Sequence, residues 1–222
     1  MAAGLDLMDL RLSGNILELL EQYYRQLMKW NRSINLIAAA PMRKVLETHF
    51  LDSLTLLPFF TRQPAPLALM DVGSGAGFPG LVLKIALPEL PLTLVEPRHK
   101  RVSFLRQIIR SLALEDVAVY AERLDPGKNV LAGEKRIFPV ITSRAFAAID
   151  VFLGLAEPFS PRNGTVICMK GPNAGEEIID WRKQDPQSPF ILRNLEERTL
   201  PFSRAQRCLV FFEKKDQRHP QG

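Results

Sequence analysis

An apolar strand, an acid, a glycine-rich loop, a helix, a second strand and a second acid follow one another between residues 67 and 96. Leu67-Ala68-Leu69-Met70 has strand character and runs into Asp71-Val72-Gly73-Ser74-Gly75-Ala76-Gly77, after which Pro79-Gly80-Leu81-Val82-Leu83-Lys84-Ile85-Ala86 begins as a helix. Glycines at alternate positions let the backbone turn sharply and leave no side chain between loop and ligand. Proline suits the first helical turn, where no intrahelical N–H partner is lost. A second strand, Pro91-Leu92-Thr93-Leu94-Val95, ends in Glu96, nineteen residues beyond Gly77 and placed to take ribose hydroxyls. The acid before the glycines decides what lies over the loop. Asp71 would repel a pyrophosphate but attract the ammonium and sulfonium of S-adenosylmethionine. The expected ligand is that methyl donor, held by Asp71, Gly73, Gly75, Gly77 and Glu96.

Two other readings share these residues. Gly75-Ala76-Gly77-Phe78-Pro79-Gly80 formally matches G-x-G-x-x-G, a short motif that alone suggests a dinucleotide and an NAD- or FAD-linked oxidoreductase. A glycine cluster also serves as a bare turn. Asp71, the missing substrate domain and the lack of an obvious acid–base pair argue against the oxidoreductase.

The rest of the chain reads as helical first and alternating afterwards. Residues 13–60 look all-helical: Ser13 or Asn15 is a capping residue, Asn15 to Glu18 has capping-box spacing, and Ile16, Leu19, Leu20, Tyr23, Leu27 and Met28 recur as one buried face. A second helix is expected from about Met42 to Leu57, with Pro58 near its end, and Gln63-Pro64-Ala65-Pro66 forms a linker. Beyond it, strands at 67–72, 91–96, 117–121, 138–142 and 164–170 alternate with helices at 79–87, 98–113, 149–157 and 175–183. That alternation predicts a parallel α/β sheet with helices on both faces. Strand-like segments at 190–199 and 207–214 add an antiparallel hairpin at one edge. The expected organisation is an N-terminal helical extension (1–62) and a core (63–222), together one compact unit.

Composition narrows the setting. With 222 residues, 46% hydrophobic and 24% charged, the chain suits a globular protein of ordinary core size. No apolar run reaches the roughly 18 residues that span a bilayer. Met1-Ala2-Ala3-Gly4-Leu5-Asp6 lacks the basic start and apolar centre of a signal peptide. Cys168 and Cys208 lie in apolar strands and read as buried thiols, so a cytoplasmic protein is expected. The net charge of +5 is unevenly placed. Arg98, Lys100, Arg101, Arg106 and Arg110 have no acid among them, and Arg193, Arg198, Arg204, Arg207, Lys214, Lys215 and Arg218 crowd the C-terminal region. Such clustering favours a polyanion such as nucleic acid, although a solvated helix face produces the same pattern.

Arg123, Arg144, Lys170 and Arg207 each stand at or just beyond the end of a predicted strand, where a cation holds RNA phosphate or a donor carboxylate. Leu124 and Asp125 follow the third strand, on the rim where open parallel sheets bind ligands. Phe78 is either a ligand contact or a staple at the helix entry. His49, Asn31, Asn35 and Trp30 read as structural residues of the extension. No cluster of His, Cys, Asp or Glu has metal-ligand spacing.

Several blocks, in order over residues 16–214, resemble the bacterial small-subunit rRNA guanine-N7 methyltransferases, the glucose-inhibited division protein B family. They are Trp30-Asn31-Arg32-Ser33-Ile34-Asn35-Leu36, His49-Phe50-Leu51-Asp52-Ser53-Leu54, Asp71 to Gly80, Lys100-Arg101-Val102-Ser103-Phe104-Leu105, Ser143-Arg144-Ala145-Phe146-Ala147 and Met169-Lys170-Gly171. The chain departs from the family pattern at Thr48, where arginine is usual, and at Arg123-Leu124-Asp125-Pro126, which keeps one acid of a usual pair. The resemblance implies a class I methyltransferase: a Rossmann-like, mostly parallel seven-stranded sheet with an antiparallel edge strand and an N-terminal helical extension. It further implies that Gly73 and Phe78 pack near the donor, Leu124 and Asp125 border its adenine, and Arg144 lies beside the site. The implied substrate is a loop of 16S rRNA near the decoding centre, free or within a small ribosomal subunit, methylated at guanine N7 by a cytoplasmic monomer. A donor-fold RNA-binding assembly factor without catalysis is the remaining alternative.

Overall fold

The computed structural model describes residues 1–125, 127, 130–131 and 133–216. Pro126 and Arg218 lie outside the described residues. The chain opens with α1 (Ala2–Leu7) and α2 (Gly14–Ile34), then α3 (Met42–Val45), which continues through a π-helical stretch (Leu46–Leu51) into α4 (Asp52–Leu54), and α5 (Leu57–Thr61). The alternating part follows as β1 (Leu69–Val72), α6 (Gly80–Ala86), β2 (Leu92–Val95), α7 (His99–Ser111) and β3 (Val117–Tyr120). A small hairpin, β4 (Val130–Leu131) with β5 (Glu134–Lys135), precedes β6 (Val140–Arg144), α8 (Ile149–Ala156), β7 (Thr165–Lys170) and α9 (Ala174–Gln184). The long hairpin β8 (Phe190–Thr199) and β9 (Gln206–Lys214) closes the fold.

The seven-stranded sheet has the order β3-β2-β1-β6-β7-β9-β8. Its first five strands are parallel, while β9 runs antiparallel between β7 and β8. Two-residue periodicity divides the side chains between two cores. Leu69, Leu92, Leu94, Ile167 and Leu209 face the helical extension and the helices α6 and α7, whereas Met70, Val72, Val95, Val166 and Val210 face α8 and α9. The extension shares the first of these cores through Leu20, Tyr23, Leu27, Phe50 and Leu54. The strand order reverses between the parallel neighbours β1 and β6, so the crevice beyond their carboxyl ends is where an open sheet of this kind receives a ligand.

The helical extension departs from expectation at its joints. α2 begins at Gly14 with Ser13 as N-cap, so Asn15 lies inside the helix and no side chain caps it. The expected helix from Met42 to Leu57 stops at Leu54, and Pro58 opens α5 instead of closing its predecessor. Proline lacks an N–H and is tolerated in a first turn, where that group has no helical partner. For the same reason Pro79 stands as N-cap of α6. Both cysteines are free and buried. Among the described residues no helix is long and apolar enough to cross a membrane.

Gly77 illustrates how the extension shapes the loop after β1. Its φ is +90°, and a Cβ there would meet Leu81 Cδ1 at 2.5 Å and the Tyr23 hydroxyl at 2.6 Å. Gly77→Ala is therefore expected to cost about 3 kcal/mol through overpacking and left-handed strain, lowering Tm by about 8 °C. Urea melts of the two proteins check this, and an unchanged midpoint would mean that α2 does not rest on the loop.

Candidate donor and RNA site

The loop after β1 is built by carboxylates beneath it. Asp71 is fully buried, and its Oδ2 accepts a 3.0 Å bond from the Gly80 N–H, tying the strand end to the start of α6. The Glu96 carboxylate accepts from the N–H groups of Gly75 and Arg98, both at 2.9 Å, with the Arg101 guanidinium 3.6 Å away. Tyr23, also fully buried, donates its hydroxyl proton to the Ala76 carbonyl. The loop is thus held from below by an acid on each of two strands and from the side by α2.

Three residues expected at the donor are engaged within the protein. Asp71 acts from under the loop, because a carboxylate at the end of β1 finds the α6 N-terminus before it finds the crevice. Glu96 spends its oxygens on backbone N–H groups and is nearly closed to solvent. Gly77 is packed against α2 and α6. Gly73 and Gly75 are the glycines that face the cleft. Gly75 has φ +59°, and a Cβ placed on it would meet nothing nearer than 3.7 Å, so that atom would fill open space above the loop.

Burial pushes the Asp71 carboxyl up to about 7, against the opposing pull of the Gly80 N–H. A folded-state value above the unfolded one favours the protonated fold, so stability present below about pH 4 is lost as pH rises through 7. Asp71→Asn is expected to remove that loss. The stability difference between wild type and variant, read from urea melts, should therefore fall between about pH 4 and 7 and level off above, and a flat difference would place the titration elsewhere.

Two cavities meet at Gly73. The larger, about 620 Å³, is lined by Gly73 to Ala76, by Leu36, Ile37 and Arg101, and by Arg144, Lys170 and Arg207. The smaller, about 400 Å³, is lined by Val72, Val95, Arg123, Leu124 and Phe146. Phe146 lies across Gly73 between them, where a Cβ on that glycine would meet its ring at 2.4 Å. Volumes of this size suit a small ligand with an attached apolar ring. Leu124 is a buried wall of the smaller cavity, while Asp125 is exposed and outside its lining. Arg123 also stands there, so it is separated from the other three cations with which it was grouped. Three strands, β2, β1 and β6, lie between β3 and β7.

Arg144, at the end of β6, is held by the helical extension. It donates to the Thr48 carbonyl (2.8 Å), pairs with Asp52 Oδ2 (3.2 Å) and lies 3.0 Å from His49 Nδ1. Its guanidinium sits 5.1 Å above the Phe78 ring. Phe78 is buried, stacked between Tyr23 and His49 with centroids at 5.5 and 5.0 Å. It therefore staples the extension and floors the cleft at once. The other oxygen of Asp52 pairs with Arg207 Nε at 3.2 Å. Burial raises the Asp52 carboxyl above its ordinary value, against the pull of both guanidiniums. Burial and the same two arginines push His49 down to about 4, so its ring is neutral at pH 7. An Arg144 N–H aimed at Nδ1 places the ring proton on Nε2. Lys170 donates to the Ala147 carbonyl and pairs with Glu177 at 2.6 Å.

Sequence reasoning missed Asp52, His49, Thr48 and Glu177. One signal was present: Asp52 interrupts the apolar run Phe50-Leu51, and a carboxylate among core residues needs a cation.

The chain is similar in sequence and in fold to known methyltransferases. The family described as rRNA small subunit methyltransferase G matches residues 16–207. A protein named ribosomal RNA small subunit methyltransferase G from Desulfotalea psychrophila is 40% identical over 211 residues, covering 95% of each chain. Its namesake from Geobacillus kaustophilus is 39% identical over 203 residues, 91% of this chain and 84% of that one. Among solved structures, a mutant of MtNAS in complex with S-adenosylmethionine aligns with a TM-score of 0.57 at 14% identity, over 91% of this chain and 77% of that one. An S-adenosylmethionine-dependent O-methyltransferase from Thermotoga maritima aligns with a TM-score of 0.54 at 13% identity, over 76% and 66%. The structural likenesses establish the class I methyltransferase fold; the sequence matches span nearly the whole chain, which belongs to the rRNA small subunit methyltransferase G family.

Proposed function

We propose that this chain transfers the methyl group of S-adenosylmethionine to N7 of a guanine in a loop of 16S rRNA near the decoding centre. The observation that carries the reading is one cleft in which the donor-type loop Gly73–Ala76 adjoins Arg144, Lys170 and Arg207. The donor fits this chain: Gly75 leaves room beside the loop, Gly73 lets the Phe146 ring lie directly against the backbone, the acids beneath the loop favour a cationic ligand, and Leu124 and Phe146 offer an apolar wall for an adenine. When bound, it supplies a sulfonium-activated methyl group.

The protein's part is orientation. Guanine N7 presents an unprotonated lone pair, so no base must act before in-line attack. That requirement matches the residues present. Arg144 and Arg207 are paired with Asp52, Lys170 is engaged by Glu177, and the free lone pair of His49 is occupied by Arg144. The methylated base is cationic, so Asp52 is needed to offset one of the two guanidinium charges beside it. The guanidinium N–H groups that Asp52 leaves over face RNA phosphates. In A-form RNA the N7 edge lies in a groove too narrow for side chains, so the target guanine must be unstacked or in a loop. The chain acts in the cytoplasm as a monomer, on free rRNA or on a small subunit.

Transfer of a labelled methyl group to small ribosomal subunits lacking the native modification tests this, with the product cleaved at N7-methylguanine. One strong cleavage in a small-subunit loop is the expected result. Donor binding without transfer, with RNA affinity indifferent to the donor, would favour an assembly factor. Nanomolar to micromolar NAD affinity with no donor binding would overturn the reading altogether.

A further inference from the structure

We infer that the outer face of the packed helices α2 and α7 is a docking surface for the backbone phosphates of the RNA duplex flanking the target loop. This rests on the rRNA reading above and assigns it a second contact, outside the cleft. No acid occurs from Gln22 to Leu46, nor from Pro97 to Leu114. The two helices bearing these stretches lie against each other, with Trp30 on Phe104 at 5.8 Å and Tyr23 on Phe104 at 6.3 Å. Arg25, Lys29 and Arg32 are exposed and share the side of α2 opposite the buried Leu20, Tyr23 and Leu27. Lys100, Arg106 and Arg110 are exposed on α7, whose Val102, Phe104, Leu105 and Ile108 are buried. A depression of about 210 Å³, lined by Arg25, Lys29, Ser111 and Leu112, joins the two helices.

Several cations of the C-terminal half are neutralised by neighbouring acids. Arg193 pairs with Glu213, Arg198 with Glu196, Arg162 with Asp216 and Lys214 with Glu157. Among the described residues, Lys29, Arg32, Lys100 and Arg106 form no ion pair, and Arg25 alone of the six has one, with Glu21. Unneutralised like charges repel, and a polyanion relieves that repulsion by releasing its own counterions. The face also begins where the substrate must be. Leu36 and Ile37, just past the end of α2, and Arg101, in the first turn of α7, line the cleft. From that wall α7 runs about 20 Å, enough to follow several consecutive phosphates of one strand. A loop seated over the cleft leaves its closing stem to run across one wall, and the narrow A-form groove leaves phosphates as what the wall touches.

The test compares K29Q/R32Q, R106Q/R110Q and their combination with a control, R182Q/K183Q, at exposed positions on α9. Each is assayed on a protein-free 16S rRNA transcript and on unmodified small subunits, at a series of salt concentrations. The combined variant should raise KM for the transcript about 30-fold near 0.1 M salt. It should also flatten the dependence of log affinity on log salt by about three to four units, as expected when about four phosphate contacts on a duplex are lost. Its kcat at saturating RNA and its donor affinity should match wild type, and the control should behave as wild type throughout. An unchanged salt slope, or an equal loss in the control, overturns the inference. A loss seen only on subunits and not on naked transcript also overturns it, assigning the face to an acidic ribosomal protein. If wild type itself fails to methylate either RNA, the functional reading fails; if wild type and the combined variant methylate equally well, only the docking surface does.

Discussion

Arg144→Ala is expected to lower the single-turnover rate of methyl transfer by a factor of about 10² to 10³, the usual cost of losing a preorganised charged donor at a reacting centre. A cation serving the reaction alone would be felt in activity far more than in stability. The ion pair with Asp52 and the bond to the Thr48 carbonyl alter that balance. Removing Arg144 leaves a buried carboxylate with Arg207 as its remaining partner, which is expected to cost about 3 kcal/mol of stability.

The two effects separate by chemistry and by condition. Arg144→Lys keeps the charge beside Asp52 but lacks the planar fork that reaches Thr48, His49 and Asp52 together. It should recover most of the stability and little of the rate. Rates are compared well below each variant's Tm, with the folded fraction taken from urea melts. A rate loss no larger than the loss of folded protein would make Arg144 a purely structural link between the extension and the sheet.

That link explains what the sequence could and could not disclose. The strand and helix spans from β1 to β9, apart from the small β4–β5 hairpin, were readable because local periodicity specifies them: Leu69 and Met70 alternate between two cores, and the buried face of α7 repeats at helical spacing. The glycine loop was readable because left-handed backbone at Gly73, Gly75 and Gly77 demands that residue type. The acids flanking the loop were recognised, but their backbone partners were not. Nothing local says whether a carboxylate at a strand end faces the crevice or the N–H groups of its own loop, and Asp71 and Glu96 take the latter. The partners of Arg144 were out of reach for a different reason. Thr48, His49 and Asp52 lie more than 90 residues away, on a π-helical stretch whose orientation is set by Phe50 and Leu54 in the shared core. The joints of the extension, at Asn15 and Pro58, were misplaced because tertiary packing chooses among several adequate caps.

Gly75→Val tests the other half of the cleft and should weaken S-adenosylmethionine binding by a factor of 100 or more, on the order of 3 kcal/mol. The space above Gly75 is open, so the branched side chain would stand where the donor must lie, and a φ of +59° adds strain that a β-branched residue bears badly. The same change threatens the 2.9 Å bond from the Gly75 N–H to Glu96, which fixes the loop against β2. Strain and occupancy are distinguished by Gly133→Val. Gly133 has φ +82° with nothing within 4 Å of a new Cβ, and it belongs to the β4–β5 turn, outside both cavities. That variant should lose stability as Gly75→Val does while its donor affinity, measured by calorimetry, stays at the wild-type value. Equal donor affinity in all three proteins would mean that the loop after β1 does not hold the donor. Equal weakening in the two variants would mean that strain alone disturbs the fold. Weakening confined to Gly75→Val would place the donor directly against the glycine, with Asp71 and Glu96 acting on it through the loop they hold.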